Sequence, residues 1–214
     1  MWTRPQWRGA QSWINEYYRS VPDADVAGAN VQVLTERAET HREVGRVRGS
    51  DRLCIQVRED HGQTVLYMVT TDMPFLVSTL TTEIAANWGG AELVLHPLLL
   101  ASRDAASHEL TALERVPNIS AVSSGDTTAI PLTRDLVGEA AASGDTQIAV
   151  ESWIRMELHR SLDESARGEL QRHIEKLVAD VTRVSEDQVA MLQEAGVIAA
   201  SLDPLEAVSY THLT

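Results

Sequence analysis

The chain changes its hydrophobic period several times, and each change predicts a different element. "QSWINEYYRSV" places Trp13, Tyr17 and Val21 at helical spacing before Pro22 and Asp23 break the pattern. A weaker helical pattern over about 30–44 puts Val33, Leu34, Ala38 and His41 on one side, and Gly45 and Gly49 mark its exit. The period then drops to two. In "RLCIQVRED", Leu53, Ile55 and Val57 alternate with polar residues, "HGQ" reads as a turn, and "TVLYMVT" is a second strand, so the pair predicts an antiparallel hairpin. Helical spacing returns with Leu76, Leu80, Ile84 and Trp88 on one face and stops at Gly89 and Gly90. "AELVLHPLLLAS" is a third strand, in which Pro97 requires an edge position or a bulge because it has no N–H for the ladder.

From about 104 to 146 the residues shift to Ser, Thr, Ala, Gly and Asp, the composition of a flexible insertion. Within it only "ELTALERV" has the pattern of a returning hairpin arm. Order resumes in "IAVESWIRMELHRS", a strand with Ile148, Val150, Ser152, Ile154, Met156 and Leu158 on one face. Glu151, Trp153, Arg155, Glu157 and His159 share the other, which reads as a solvated face, a subunit contact or a polar binding surface. Trp153 there implies cover by another element or subunit. A long helix follows, opened by a capping box of Ser161 and Glu164 and striped by Leu170, Ile174, Leu177, Val181 and Val184. A shorter helix over about 186–195 ends at Gly196.

This order predicts an α+β fold of the ferredoxin-like kind, a small antiparallel sheet with two helices, preceded by an N-terminal helical segment. The divisions are residues 1–49 for the helical segment, 50–185 for the α+β domain with its insertion, and 186–214 for a C-terminal helix and tail. The closing "SYTHLT" reads as a non-native scar or a polar tail.

Charge and chemistry narrow the function. The 214 residues carry a formal net charge of −13, from 18 basic and 31 acidic side chains, which argues against a general nucleic-acid or anionic-membrane binder. The basic residues over 37–52 alternate with acids, the pattern of a solvated face. A single cysteine, Cys54, rules out an internal disulfide or thiolate cluster and has the setting of a buried, inert thiol. With no apolar run of about 20 residues and no signal-peptide core, a cytoplasmic location follows. No nucleotide-binding glycine motif, nucleophile elbow or zinc-protease motif occurs, and the seven histidines have no metal-ligand spacing. His96, inside an apolar strand, reads as a hydrogen-bonded structural residue.

Four features in order nevertheless resemble one family. The Asp72-Met73-Pro74-Phe75-Leu76-Val77 run, the His96–Pro97 pair, the Glu151-Ser152-Trp153 strand after a variable insertion and the opening "YYRSVPDADVAGANV" are similar to the N-terminal part of large bacterial NAD-specific glutamate dehydrogenases. The likeness runs from about Asn15 to Met191. Ser78 stands where that family usually has an acidic residue, as does a position near His159. The resemblance implies an ACT-like module in a chain whose parent enzyme oxidises L-glutamate with NAD and water to 2-oxoglutarate, ammonia and NADH. It implies that the catalytic lysine and dinucleotide fold lie downstream, so this piece has neither catalytic residues nor a cofactor of its own and no metal.

The resemblance also implies where an effector would sit, beside the loop Asp72, Met73, Pro74 and Phe75. The residues themselves favour a structural reading: Asp72 suits the N-cap of the next helix and Pro74 its first turn, while Phe75 would fill a pocket rather than open one. The expected partners are a second copy in a homo-oligomer, with Glu151, Trp153, Arg155 and Glu157 as the contact, the downstream domains of the same chain, and an amino-acid effector. The alternative is a free-standing ACT-like amino-acid-binding protein.

Overall fold

The computed structural model describes residues 3–49, 52–116 and 145–201. Its centre is an antiparallel sheet of six strands, β1 (Cys54–Asp60), β2 (Gln63–Thr71), β3 (Ala91–Leu95), β4 (Leu98–Asp104), β5 (Leu110–Arg115) and β6 (Thr146–Leu158). The spatial order is β1-β2-β6-β4-β5, with β3 also paired to β6. Five α-helices accompany it: α1 (Trp13–Tyr17), α2 (Asp23–Val26), α3 (Val31–Val44), α4 (Leu76–Trp88) and α5 (Glu164–Ser201).

The hairpin forms as its pattern requires, with His61 (φ 52°) and Gly62 (φ 82°) in the left-handed region and Asp60 opposite Gln63. β2, α4 and the β3–β4 run then make a split βαβ unit, because β6 lies between its two parallel strands. The expected third strand is thus two strands that share β6 as partner. They break at His96–Pro97, where Trp153 donates its N–H to the Pro97 carbonyl at 3.0 Å. Pro97 therefore sits at an interruption beside the central strand, not on an edge. β5 is the arm foreseen in "ELTALERV", pairing Leu113 with Ala101. The core of the expected insertion, 117–144, lies outside the described residues.

α4 and α5 cover one face. Leu76, Leu80 and Ile84 from α4 and Leu170, Ile174 and Val178 from α5 meet Leu66, Met68, Ile154, Met156 and Leu158, all of them buried. The helix expected to end near 184 and the one expected over 186–195 form a single helix of 38 residues. Asp163 starts it by accepting the Ala166 N–H at 2.8 Å, so the expected capping box of Ser161 and Glu164 is corrected to a single aspartate cap. At about 1.5 Å per residue, α5 outruns the sheet. Thr182 still touches Met73, but Val184 and Met191 are exposed.

The N-terminal segment covers the other face. Asn30 caps α3 by accepting the Gln32 N–H, and α3 then buries Leu34, Ala38 and His41. Trp7, Trp13, Ile14, Tyr17, Tyr18 and Val21 join them over Val69, Leu99, Leu113 and Trp153. The molecule is a three-layer sandwich of helices, sheet and helices. No helix among the described residues is long and apolar enough to cross a membrane.

Candidate functional site

The side chains singled out by pattern fall into two neighbouring places, on opposite faces of β6. The first joins three separate motifs. On the α4 face Ser152 is fully buried, and its Oγ donates to Asp72 Oδ1 at 2.6 Å. His96 Nε2 lies 3.0 Å from the same Oγ. A hydroxyl has one proton, and a carboxylate can only accept. With the Ser152 proton given to Asp72, His96 must donate, which fixes its Nε2–H tautomer. Burial lowers the His96 pKa, with Asp72 opposing the shift, so the ring is neutral at pH 7. This order of groups is wrong for nucleophilic catalysis: the serine proton points to the carboxylate, and the histidine nitrogen facing the hydroxyl already carries a proton. Its physical effect is to tie the β2–α4 turn, the β3–β4 break and the central strand together.

That use of Asp72 corrects the expected cap. α4 begins at Leu76, its N-cap residue is Phe75, and no side chain caps its first turn. Pro74 precedes the helix instead of occupying its first turn. Phe75 has φ 65°, a conformation costly for a residue with a Cβ, and is 64% exposed. It fills no pocket. Met73 packs at the edge of the apolar core, between α4 and α5.

The second place is the opposite face of the same strand. Glu151, Trp153 and Arg155 are buried beneath the N-terminal segment, and Glu157 is nearly so. The expected solvated face and subunit contact are therefore corrected: these residues form an interface within the chain and leave little surface for a second copy. Glu151 accepts a bidentate pair from Arg103 Nε and Nη2 at 2.8 and 3.0 Å, and also the Trp153 indole N–H at 3.1 Å. Arg103 Nη2 donates in addition to the Gly45 carbonyl at 2.9 Å. Arg48 Nε lies 3.5 Å from Glu151, so the basic stretch over 37–52 is not simply a solvated face. Gly45 is needed where it stands, since an added Cβ would come within 2.7 Å of the Trp153 ring.

Farther along β6, Arg155 pairs with Glu157 and with Asp60, stands over the Tyr67 ring, and Arg37 completes the group at 3.4 Å from Glu157. Between the two ion groups lies His41, fully buried. Its Nε2 bonds the Met68 carbonyl at 3.0 Å, and its Nδ1 lies 2.9 Å from the Tyr17 hydroxyl. A carbonyl can only accept, so Nε2 carries the proton and Tyr17 donates to Nδ1. Burial pushes the His41 pKa down to about 3, against the Met68 hydrogen bond that raises it. Arg48, Arg103 and His41 come from different elements, so no local pattern joins them as a group. The only sequence signal was an aromatic between two charges on one strand face. Cys54 keeps its thiol protonated: burial raises its pKa, and Sγ lies 3.5 Å from the Val47 carbonyl. No cluster of ligating side chains suited to a metal occurs among the described residues.

This architecture and these motif positions agree with the comparison against known families, in which residues 13–174 match the ACT1 domain of glutamate dehydrogenase. The chain belongs to that family. Neither the curated proteins nor the solved structures gave a match. Within the ACT1 domain, the motifs that carry the resemblance meet at the Asp72–Ser152–His96 junction and on the face beneath the N-terminal helices. In both places their polar groups serve to join segments distant in sequence.

Proposed function

We propose that the chain is a non-catalytic regulatory and assembly region of an NAD-dependent glutamate dehydrogenase. The observation that carries this reading is the family match across 13–174. The parent reaction is oxidation of L-glutamate by NAD and water to 2-oxoglutarate, ammonia and NADH, with catalytic lysine and dinucleotide site in other domains of the enzyme. NAD specificity is supported by the likeness of the Asp72–Val77, His96–Pro97 and Glu151–Trp153 motifs to the NAD-specific enzymes. The lone cysteine, with its protonated thiol, accords with a cytoplasmic enzyme. An assembly role is supported by the exposed Val184 and Met191 on the part of α5 beyond the sheet.

A second role, as receptor for an amino-acid effector, is favoured by the first-turn amides of α4. They have no side-chain cap, and Asp72 is engaged by Ser152. Four measurements test the set. The isolated chain should form no NADH from L-glutamate, and turnover would refute the non-catalytic reading. Sedimentation should give a mass above the 23.5 kDa of one copy, and a monomer at every concentration would refute self-assembly. Calorimetric titration with amino acids should show saturable binding lost in a Ser78→Pro variant, which removes one first-turn N–H, and no heat with any amino acid would remove the effector role. Expression of the complete gene should give activity with NAD in preference to NADP.

A further inference from the structure

The outer edge of β1 lies at the bottom of a slot. α3 on one face of the sheet and α5 on the other stand beside it and leave a cleft of about 690 Å³, lined by Thr40 and Glu43, by Ile55 and Arg58, and by Gln171 and Glu175. A free strand edge presents backbone donors and acceptors to any chain that can pair with them. Here one donor is already engaged: the Val57 N–H gives its hydrogen to Gln171 Oε1 at 3.2 Å. This bond shows that the Val57 backbone points into the cleft. By the two-residue alternation of a strand, the backbone groups of Ile55 and Glu59 point the same way. The Gln171 carboxamide is chemically a peptide group, and its Nε2 is held by Glu175 at 3.1 Å. It occupies the place a neighbouring strand's peptide would take.

We propose that this edge receives an extended peptide of basic character, which displaces Gln171 and adds a strand to the sheet. The inference is independent of the glutamate dehydrogenase reading. A second copy of the chain is a poor fit, because its own β1 edge is flanked by α3 and α5 and the two sets of walls would meet before the strands. A single extended segment has no such walls. The charge of the lining sets its chemistry. Glu43 pairs with Arg46 at 3.0 Å, but Glu175 has no cationic partner among the described residues. Arg58 lies on the α3 side, since its neighbour Gln56 is paired with Tyr67, which faces that layer. The peptide therefore carries lysine or arginine on its α5 face and neutral or acidic residues beside Arg58. Backbone pairing gives affinity, and alternate side chains give selectivity.

The test uses the 214-residue chain and the capped heptapeptide in which four valines alternate with three lysines. Binding is followed by anisotropy, and amide exchange of Ile55, Val57 and Glu59 by NMR. The lysine peptide should bind and slow exchange at Ile55 and Val57 about tenfold or more. The glutamate counterpart should bind several-fold more weakly, as should the lysine peptide with a Glu175→Lys variant. Gln171→Ala, a substitution on a helix surface, should tighten binding by removing the competitor. N-methylation of alternate peptide residues should abolish binding in one phase and be tolerated in the other, because only one side of the added strand faces β1. No protection at Ile55 and Val57, or equal effects of the two methylation phases, overturns the proposal.

Discussion

On the α4 and α5 side, the central strands bury Leu66, Met68, Ile154, Met156 and Leu158, with polar residues only at the ends, Ser152 and Thr70 at one and Thr64 at the other. On the side of α1 to α3 the same two strands bury Tyr67, Glu151, Trp153 and Arg155, together with His41, Arg48 and Arg103 from elsewhere. The first face is held by area removed from water, a non-directional force that tolerates small errors of placement. The second adds to an apolar cluster of its own a set of charges out of water, each of which must find its partner in a fixed geometry. An apolar face is therefore written in one helix or strand at a time. A buried ionic face is written across the chain, and no one segment of it looks like core.

The contrast is most exposed to attack at Glu151. Glu151→Ala leaves Arg103 and Arg48 buried without their carboxylate and should cost about 3–5 kcal/mol by urea denaturation. A joint replacement of Glu151 and Arg103 by methionines should recover the share of that loss that belongs to Arg103, while Arg48 stays without its carboxylate. If the single and double variants are equally unstable, the face is held by shape and not by charge. Ile84→Ala on the apolar side should cost about 2–4 kcal/mol, with no dependence on a second site.

The two faces should also part on acidification. His41 is held near pKa 3 when folded and returns to about 6.5 when unfolded. Between those values the unfolded chain binds the extra proton. Stability is therefore full above pH 6.5 and falls by about 1.4 kcal/mol for each pH unit lost below it. Equilibrium unfolding at pH 7, 6 and 5 should show this slope, and His41→Gln should flatten it. An unchanged slope in the variant would assign the acid sensitivity to the carboxylates of the same face.

Two smaller effects sharpen the picture. Gly45→Ala drives a Cβ into the Trp153 ring and should cost about 1–3 kcal/mol, while at Gly62 a Cβ meets no atom within 4 Å and only the left-handed φ of 82° opposes it. Phe75→Gly should raise stability by about 1 kcal/mol, since it relieves a left-handed φ at an exposed position. A loss of stability instead would show that the Phe75 ring makes contacts its exposure hides.

The sequence by itself determined the hairpin, α4 and the first part of the α5 stripe, Leu170, Ile174 and Leu177, because the helical and strand periods are local and each element carries its own face, whereas Val184 of that stripe lies exposed. It also carried the family, since four motifs in a fixed order survive without any knowledge of their contacts. Tertiary structure alone decided what those motifs do. Asp72 would cap α4 if judged by its neighbours, but the hydroxyl of Ser152, eighty residues away, claims it. The face of Glu151, Trp153 and Arg155 would be solvated if judged by alternation, yet the N-terminal helices lie over it. A hydrogen bond or ion pair depends on which distant group arrives within about 3 Å, and that distance is set by packing, which no local pattern encodes.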